Sequence, residues 1–188
     1  MDLSILLWLQ SHLHYAILDP IFKTITMLGD DGFIWIVLTL ILLFRKDTRY
    51  AGMVMALSLA FSLLFVNIGI KPLVDRPRPY EVYPFNLIIA PPPGSSFPSA
   101  HSSASFAAAW AYFITRKNKM RYAWLVLAVA ISFSRLYLFV HYPTDVLSGI
   151  ALGILFSYLA RFLVCKIISK KTWSWLPTCP DAFKDMEV

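Results

Sequence analysis

The sequence predicts an all-α fold: an integral membrane helical bundle of five or six transmembrane helices with an interfacial N-terminal helix. Three observations predict it. Of the 188 residues, 58% are hydrophobic and only 15% charged, with a mean hydropathy of +0.63; a soluble domain is about half apolar and about a quarter charged. Apolar runs approaching the roughly 20 residues that cross a bilayer recur along the chain. Basic residues gather in short loops between those runs.

The first 28 residues are interrupted by Asp2, Gln10, His12, His14, Asp19 and Lys23, which suits an interfacial helix followed by a partial or full span. Their opening, MDLSILLWLQSHLHY, lacks the basic start and small-residue cleavage site of a removable signal peptide. GFIWIVLTLILLF (32–44) is strongly apolar and ends sharply at Arg45-Lys46. Residues 50–70 form the first full-length run. SSASFAAAWAYFIT (102–115) is short and rich in Ser and Ala, which suits close packing against other helices rather than lipid. Runs at 122–140 and 145–165 complete the bundle. Trp173 and Trp175 fit an interfacial anchor. The expected organisation is a single membrane-embedded domain over 1–171 and a cytoplasmic tail over 172–188, without internal repeats.

Orientation follows from the charges. Arg45, Lys46 and Arg49, then Arg116, Lys117, Lys119 and Arg121, then Arg161, Lys166, Lys170 and Lys171 fall on one side if the spans alternate. The positive-inside rule assigns that side to the cytoplasm. These are 11 of the 17 basic residues, so the net charge of +6 reflects topology. No basic arm with interleaved aromatics points to nucleic acid. Cys165 and Cys179 lack metal-ligand spacing.

The opposite ends of the spans carry a second set of polar residues. Lys71 closes the 50–70 run and Arg78 follows in KPLVDRPRP. His101 opens the 102–115 run, Arg135 lies within 122–140, His141 ends it, and Asp145 opens the last span. Ionisable groups at membrane depth are costly and usually functional. Pairing of Arg135 with Asp145 as structural glue would explain one of them, but not the convergence of three cations with two histidines. Three fixed cations make an anion clamp, and guanidinium groups match phosphate oxygens. Ser99 adds a hydroxyl. Pro98 suits the first turn of a helix whose free N–H groups favour phosphate. The histidines add a nucleophile and an acid: an imidazole can carry a phosphoryl group, a carboxylate four residues away can orient it, and a second imidazole can protonate a leaving oxygen. No cluster has the look of a metal site and no cofactor is implied, so the cations would neutralise the transition state.

Other polar features read differently. Asp30 and Asp31 in GDDG fit a polar turn before the 32–44 span better than a metal site. His12 and His14 read as interfacial, and APPPG (90–94) as a stiff loop shaping the entrance to the site. Asn67 fits either loop positioning or helix packing. Arg76 is left outside the clamp, as a partner for Asp75 or Glu81.

Together these residues resemble the type 2 phosphatidic acid phosphatase family, membrane lipid phosphatases that share a site with vanadium haloperoxidases. The family's first motif, Lys, six residues, Arg-Pro, matches Lys71 through Arg78-Pro79. Its second, Pro-Ser-Gly-His, appears as Pro98-Ser99-Ala100-His101, with Ala100 in place of glycine. Its third, Ser-Arg, five residues, His, three residues, Asp, matches Ser134-Arg135, His141 and Asp145. The resemblance implies His141 as nucleophile aligned by Asp145, and His101 as general acid. It implies Lys71, Arg78, Ser99, Arg135 and the backbone of Ala100 as phosphate binders. It implies a membrane lipid substrate, an isoprenoid pyrophosphate or a phospholipid phosphate, with undecaprenyl pyrophosphate leading. Phosphatidylglycerophosphate, phosphatidic acid and lipid A phosphate are the alternatives. Phosphate would be the product, at an extracytoplasmic active site. The rival of another class is a transporter or lipid-binding protein that holds an anionic headgroup without cleaving it. Oligomeric state is not legible.

Overall fold

The computed structural model describes residues 2–169; the expected tail over 172–188, with Trp173 and Trp175, lies outside them. The helices are α1 (Asp2–Leu13), α2 (Asp19–Leu28), α3 (Phe33–Phe44), α4 (Arg49–Phe61), α5 (Lys71–Val74), α6 (Pro79–Val82), α7 (Ala100–Thr115), α8 (Met120–Tyr137) and α9 (Pro143–Ser169). The all-α expectation holds. A π-helical stretch, Ser62–Ile70, carries α4 onward into α5. Arg49–Val82 and Pro143–Ser169 are long and apolar enough to cross a membrane, and α2 with the helix beyond it would make a third span, bent by 44°. That bend has a local cause: Asp31 and Gly32 take φ values of 50° and 71°, in the left-handed region that interrupts a right-handed helix. With 12 residues in α3 and 16 in α7, the expected five or six spans do not follow from helix length alone.

α7 is the central helix, packed against α9, α8 and α4. Its Ser and Ala residues are the reason. Ser102, Ser103, Ser105, Ala107, Ala108, Ala109 and Ala111 are all buried, and small side chains let helix backbones approach. On α9, Gly149 and Gly153 complete the contact. A Cβ at Gly149 would lie 2.5 Å from Ser99 O, and one at Gly153 would lie 2.5 Å from Ser103 O. The serine hydroxyls are used between helices: Trp35 Nε1 donates to Ser105 Oγ (2.9 Å), and Ser62 Oγ donates to Ser103 Oγ (2.8 Å). Outside the bundle the pattern inverts. Ile36, Leu40, Phe44, Leu63, Leu64, Val126 and Leu155 are exposed, as expected of a surface that faces lipid rather than water.

The two ends of the bundle differ. At one end, Arg116 donates to the carbonyl of Asp47 (2.8 Å), bringing two of the basic segments together. The start of α7, the end of α8 and the start of α9 meet at the other.

Candidate active site

The site is assembled from three chain segments that meet at this second end. The first descends from α5. Arg78 precedes α6, where Glu81 Oε2 accepts from the Arg78 backbone N–H (2.7 Å) and fixes the turn. The Arg78 guanidinium is buried and held by carbonyls: Nε donates to Gly94 O (2.8 Å), Nη2 to Pro93 O (3.0 Å) and Nη1 to Val140 O (3.1 Å). The APPPG loop thus holds Arg78 in place. Lys71 Nζ donates to Ser95 O (2.9 Å) in the same loop.

The second segment is the start of α7. Ser99, fully buried, is its N-cap; Ser99 Oγ accepts from Ser102 N (3.4 Å) and Ser102 Oγ (3.0 Å). The helix therefore begins at Ala100, with Pro98 before the cap rather than within the first turn as the sequence suggested. Ser99 N–H donates to Asp145 O (3.0 Å), which ties the start of α7 to α9.

The third segment is the turn between α8 and α9. Phe139 adopts φ 59°, a rare conformation for a side chain of this size. Its ring stacks on Phe85 with centroids 4.3 Å apart and is fully buried, which holds the turn. The chain then brings Val140 O and His141 under Arg78. Arg78 Nη1 lies 3.3 Å from His141 Nε2. An arginine only donates, so Nε2 is the lone-pair nitrogen and the ring proton sits on Nδ1. Nδ1 in turn faces Asp145 Oδ2 at 3.5 Å, a charge contact longer than a good hydrogen bond. Burial pushes the His141 imidazole below its ordinary pKa, and the fields of Arg135, Arg78 and Lys71 push it further. The ring is neutral at pH 7, with its free lone pair among cations.

Asp145 is fully buried and accepts three hydrogen bonds, from Ser96 Oγ (2.5 Å), Tyr142 N (2.9 Å) and Arg76 Nη1 (2.7 Å). Arg76 was expected to pair with Asp75 or Glu81. Instead it bridges Asp145 and Asp2, donating to Asp2 Oδ2 at 2.9 Å, with its guanidinium over the Tyr142 ring. Arg76 could not be placed from local sequence because both carboxylates lie about 70 residues away along the chain. Nor does Arg135 pair with Asp145. It is buried, donates to Thr26 Oγ1 (2.5 Å), and its Nε has no hydrogen-bond partner among the described residues.

His101 is the second residue of α7, in its first turn. Its ring feels the charges of Arg135 and Lys71, the same two that act on His141. Its Nε2 lies 3.0 Å from Asp30 Oδ1, a contact between residues 71 apart that local spacing could not reveal. The turn at Asp30–Gly32 is a polar turn, as expected, but one of its carboxylates meets a candidate site residue. Ala100 and His101 line a cleft of about 350 Å³ whose walls include Ile36, Leu59, Leu63 and Asn67. The cleft opens on His101, while His141 and the three cations lie outside its lining.

Comparison with known proteins shows what the chain as a whole is similar to. The PAP2 superfamily profile matches residues 51–169. An undecaprenyl-diphosphatase of Sulfolobus acidocaldarius is 31% identical over 129 residues, covering 68% of this chain and 62% of that protein. A lipid A 1-phosphatase of Rhizobium johnstonii is 30% identical over 175 residues, covering 79% and 69%. The crystal structure of Aquifex aeolicus LpxE superposes with a TM-score of 0.73 at 25% identity, covering 85% of this chain and 93% of that one. The transmembrane PAP2 type phosphatidylglycerolphosphate phosphatase of Bacillus subtilis superposes with a TM-score of 0.68 at 26% identity, covering 93% and 87%. By profile, sequence and fold together, this chain belongs to the PAP2 superfamily and is a membrane-embedded phosphatase.

Proposed function

We propose that the chain hydrolyses a lipid phosphate or pyrophosphate through a phosphohistidine at His141, without a metal, and that undecaprenyl pyrophosphate is its principal substrate. The observation that carries the reading is the state of His141: Nδ1 faces a buried carboxylate, while the Nε2 lone pair points to the Arg78 guanidinium. The long Nη1–Nε2 contact gives way when a phosphate oxygen takes the arginine's hydrogen bond. Lys71, Arg135, the Ser99 hydroxyl and the backbone N–H of Ala100 complete the anion's surroundings. Nε2 then attacks phosphorus. As the N–P bond forms, the P–O bond to the leaving group breaks, and the leaving oxygen takes a proton from His101. Water next attacks the phosphohistidine and gives its proton to His101 while the N–P bond breaks. Phosphate departs and both rings return to their starting states. Asp145 steadies the positive charge His141 acquires.

The substrate preference rests on the named activities of relatives, which include undecaprenyl-diphosphatases at 31% and 27% identity, and on a cleft with apolar walls beside His101. Because relatives also include lipid A and phosphatidylglycerophosphate phosphatases, these headgroups and phosphatidic acid are the competing substrates. The site faces the extracytoplasmic side, on the distribution of basic loops.

The test is phosphate release by purified protein, with chelator present, from undecaprenyl pyrophosphate, phosphatidic acid, phosphatidylglycerophosphate and lipid A. Turnover that disappears in His141→Ala, fastest on the undecaprenyl substrate, supports the reading. No turnover of any lipid, or full activity in His141→Ala, leaves an anionic-lipid binder or transporter as the better description. Cysteines introduced at 116–121 should react with membrane-impermeant thiol reagents only after permeabilisation; labelling of intact cells there would reverse the orientation.

A further inference from the structure

The turn joining α2 to α3 reaches His101 in two independent ways. Asp30 Oδ1 lies 3.0 Å from His101 Nε2. Gly29, one residue earlier, lies against the same ring, and a Cβ built there would stand 2.9 Å from His101 Cδ2 and 2.8 Å from Ile131 Cγ2. Its backbone φ is −88°, an ordinary value for any residue. Glycine is needed at this position for space, and the space it leaves is occupied by the imidazole edge and Ile131.

From this contact we infer that Asp30 is a positioning residue for His101, with Gly29 providing the room in which the ring sits. The inference rests on the phosphatase reading above for its kinetic consequence, though not for the contact itself. A carboxylate only accepts, so Nε2 must carry the proton toward Asp30, which leaves Nδ1 as the nitrogen that exchanges a proton with the reaction. Asp30 thus fixes the rotation of the ring and selects its reacting nitrogen. The arrangement parallels the buried pair of Asp145 and His141 at the nucleophile. The difference is solvent access: the Asp30 side chain is 58% exposed and that of Asp145 is fully buried. A contact so exposed adds little to stability, and its removal leaves the fold in place.

His101 enters the reaction as the imidazolium, with Nε2–H held by Asp30 and a second proton on Nδ1. That Nδ1 proton passes to the leaving oxygen as the P–O bond breaks, leaving the neutral ring, and Nδ1 recovers a proton from the attacking water. The benefit of that proton depends on the leaving group. Alkoxide leaving from phosphatidic acid needs it, whereas p-nitrophenolate leaves readily without it. Asp30→Asn should lower kcat on phosphatidic acid by about tenfold or more, while changing kcat on p-nitrophenyl phosphate by less than about threefold. Asp30→Glu should recover part of the loss. In a His101→Ala background, Asp30→Asn should cost nothing further, since its effect runs through the ring. An equal loss on both substrates, or a loss that persists in the His101→Ala background, overturns the inference.

A second measurement needs no turnover. With ¹⁵N-labelled histidine in detergent micelles, the His101 ring signals should report Nε2–H in the unaltered chain and shift in both Asp30→Asn and Gly29→Ala. Signals unchanged in Asp30→Asn overturn the inference even if every kinetic arm is silent. Failure of the unaltered chain to release phosphate from either substrate counts against the phosphatase reading alone, because the ring signals still decide the Asp30 contact.

Discussion

Replacing Arg76 tests a part of the site that no fixed motif position names. In Arg76→Met, Asp145 keeps its hydrogen bonds from Ser96 Oγ and Tyr142 N but loses the one from Arg76 Nη1, at 2.7 Å the only one of the three from a cation. A hydrogen bond to a charged group contributes about 1.5–3 kcal/mol. The Arg76 side chain is 28% exposed while that of Asp145 is fully buried, so solvent screens the arginine's side of the pair and a net cost of about 1–2 kcal/mol is reasonable. In the proposed mechanism that cost appears where Asp145 steadies the charge that His141 gains as the phosphohistidine forms. At about 1.4 kcal/mol per factor of ten, kcat should fall roughly 5- to 30-fold. KM should change by less than about twofold, because Arg76 does not touch the phosphate in the proposed complex. The assay is steady-state phosphate release in detergent, with circular dichroism to confirm that the helices remain. A variant with kcat intact would show that Asp145 needs no cation. A variant with kcat intact and KM raised would place Arg76 among the phosphate binders, and the derivation from Asp145 would be wrong.

Two further outcomes follow from the same geometry. Gly149→Ala places a methyl 2.5 Å from Ser99 O and 3.2 Å from Ser103 N, against backbone that cannot swing aside, so α9 must shift from α7 at a cost of about 1–3 kcal/mol; thermal unfolding in detergent should show a lowered Tm, and an unchanged Tm would contradict the close approach. The lowered pKa of His141 also has a sign. The folded ring stays neutral while the unfolded ring titrates near 6.5, so the stability it contributes is present above that pH and is lost as pH falls toward the folded value. Tm should therefore drop between pH 7 and pH 5 more steeply in the unaltered chain than in His141→Asn; equal slopes would remove His141 as the source.

Much of the site was legible in the sequence because its residues lie at helix ends and carry unusual cost there. Lys71, Arg78, Ser99, His101, Arg135, His141 and Asp145 are polar groups in a chain that is 58% hydrophobic, and ionisable groups at membrane depth are costly and usually functional. The alternation of spans was enough to place them at one end. Two residues escaped the same reasoning. Arg76 lies among other charges, and local spacing offered it Asp75 and Glu81; its partners Asp2 and Asp145 are brought near only by packing of α1 and α9. Asp30 looked like turn chemistry because it is turn chemistry, and its approach to His101 depends on how α2 and α3 bend around α7.

By itself the sequence determined the solvent of this protein and the chemistry it can hold. Hydropathy is a sum over residues, and the pairing of cations with histidines is a matter of residue types, so neither needs a fold to be read. Only the tertiary structure decided which nitrogen of His141 is free, which groups hold Asp145, and which carboxylate faces His101. Those are questions of distance and direction between segments up to about 70 residues apart. The close approach of Gly149 and Gly153 to α7 sets where α9 presents Asp145, the α5–α6 segment brings Arg76 and Arg78 to Asp145 and His141, and the bend between α2 and α3 brings Asp30 to His101, because each contact joins segments that only packing places side by side.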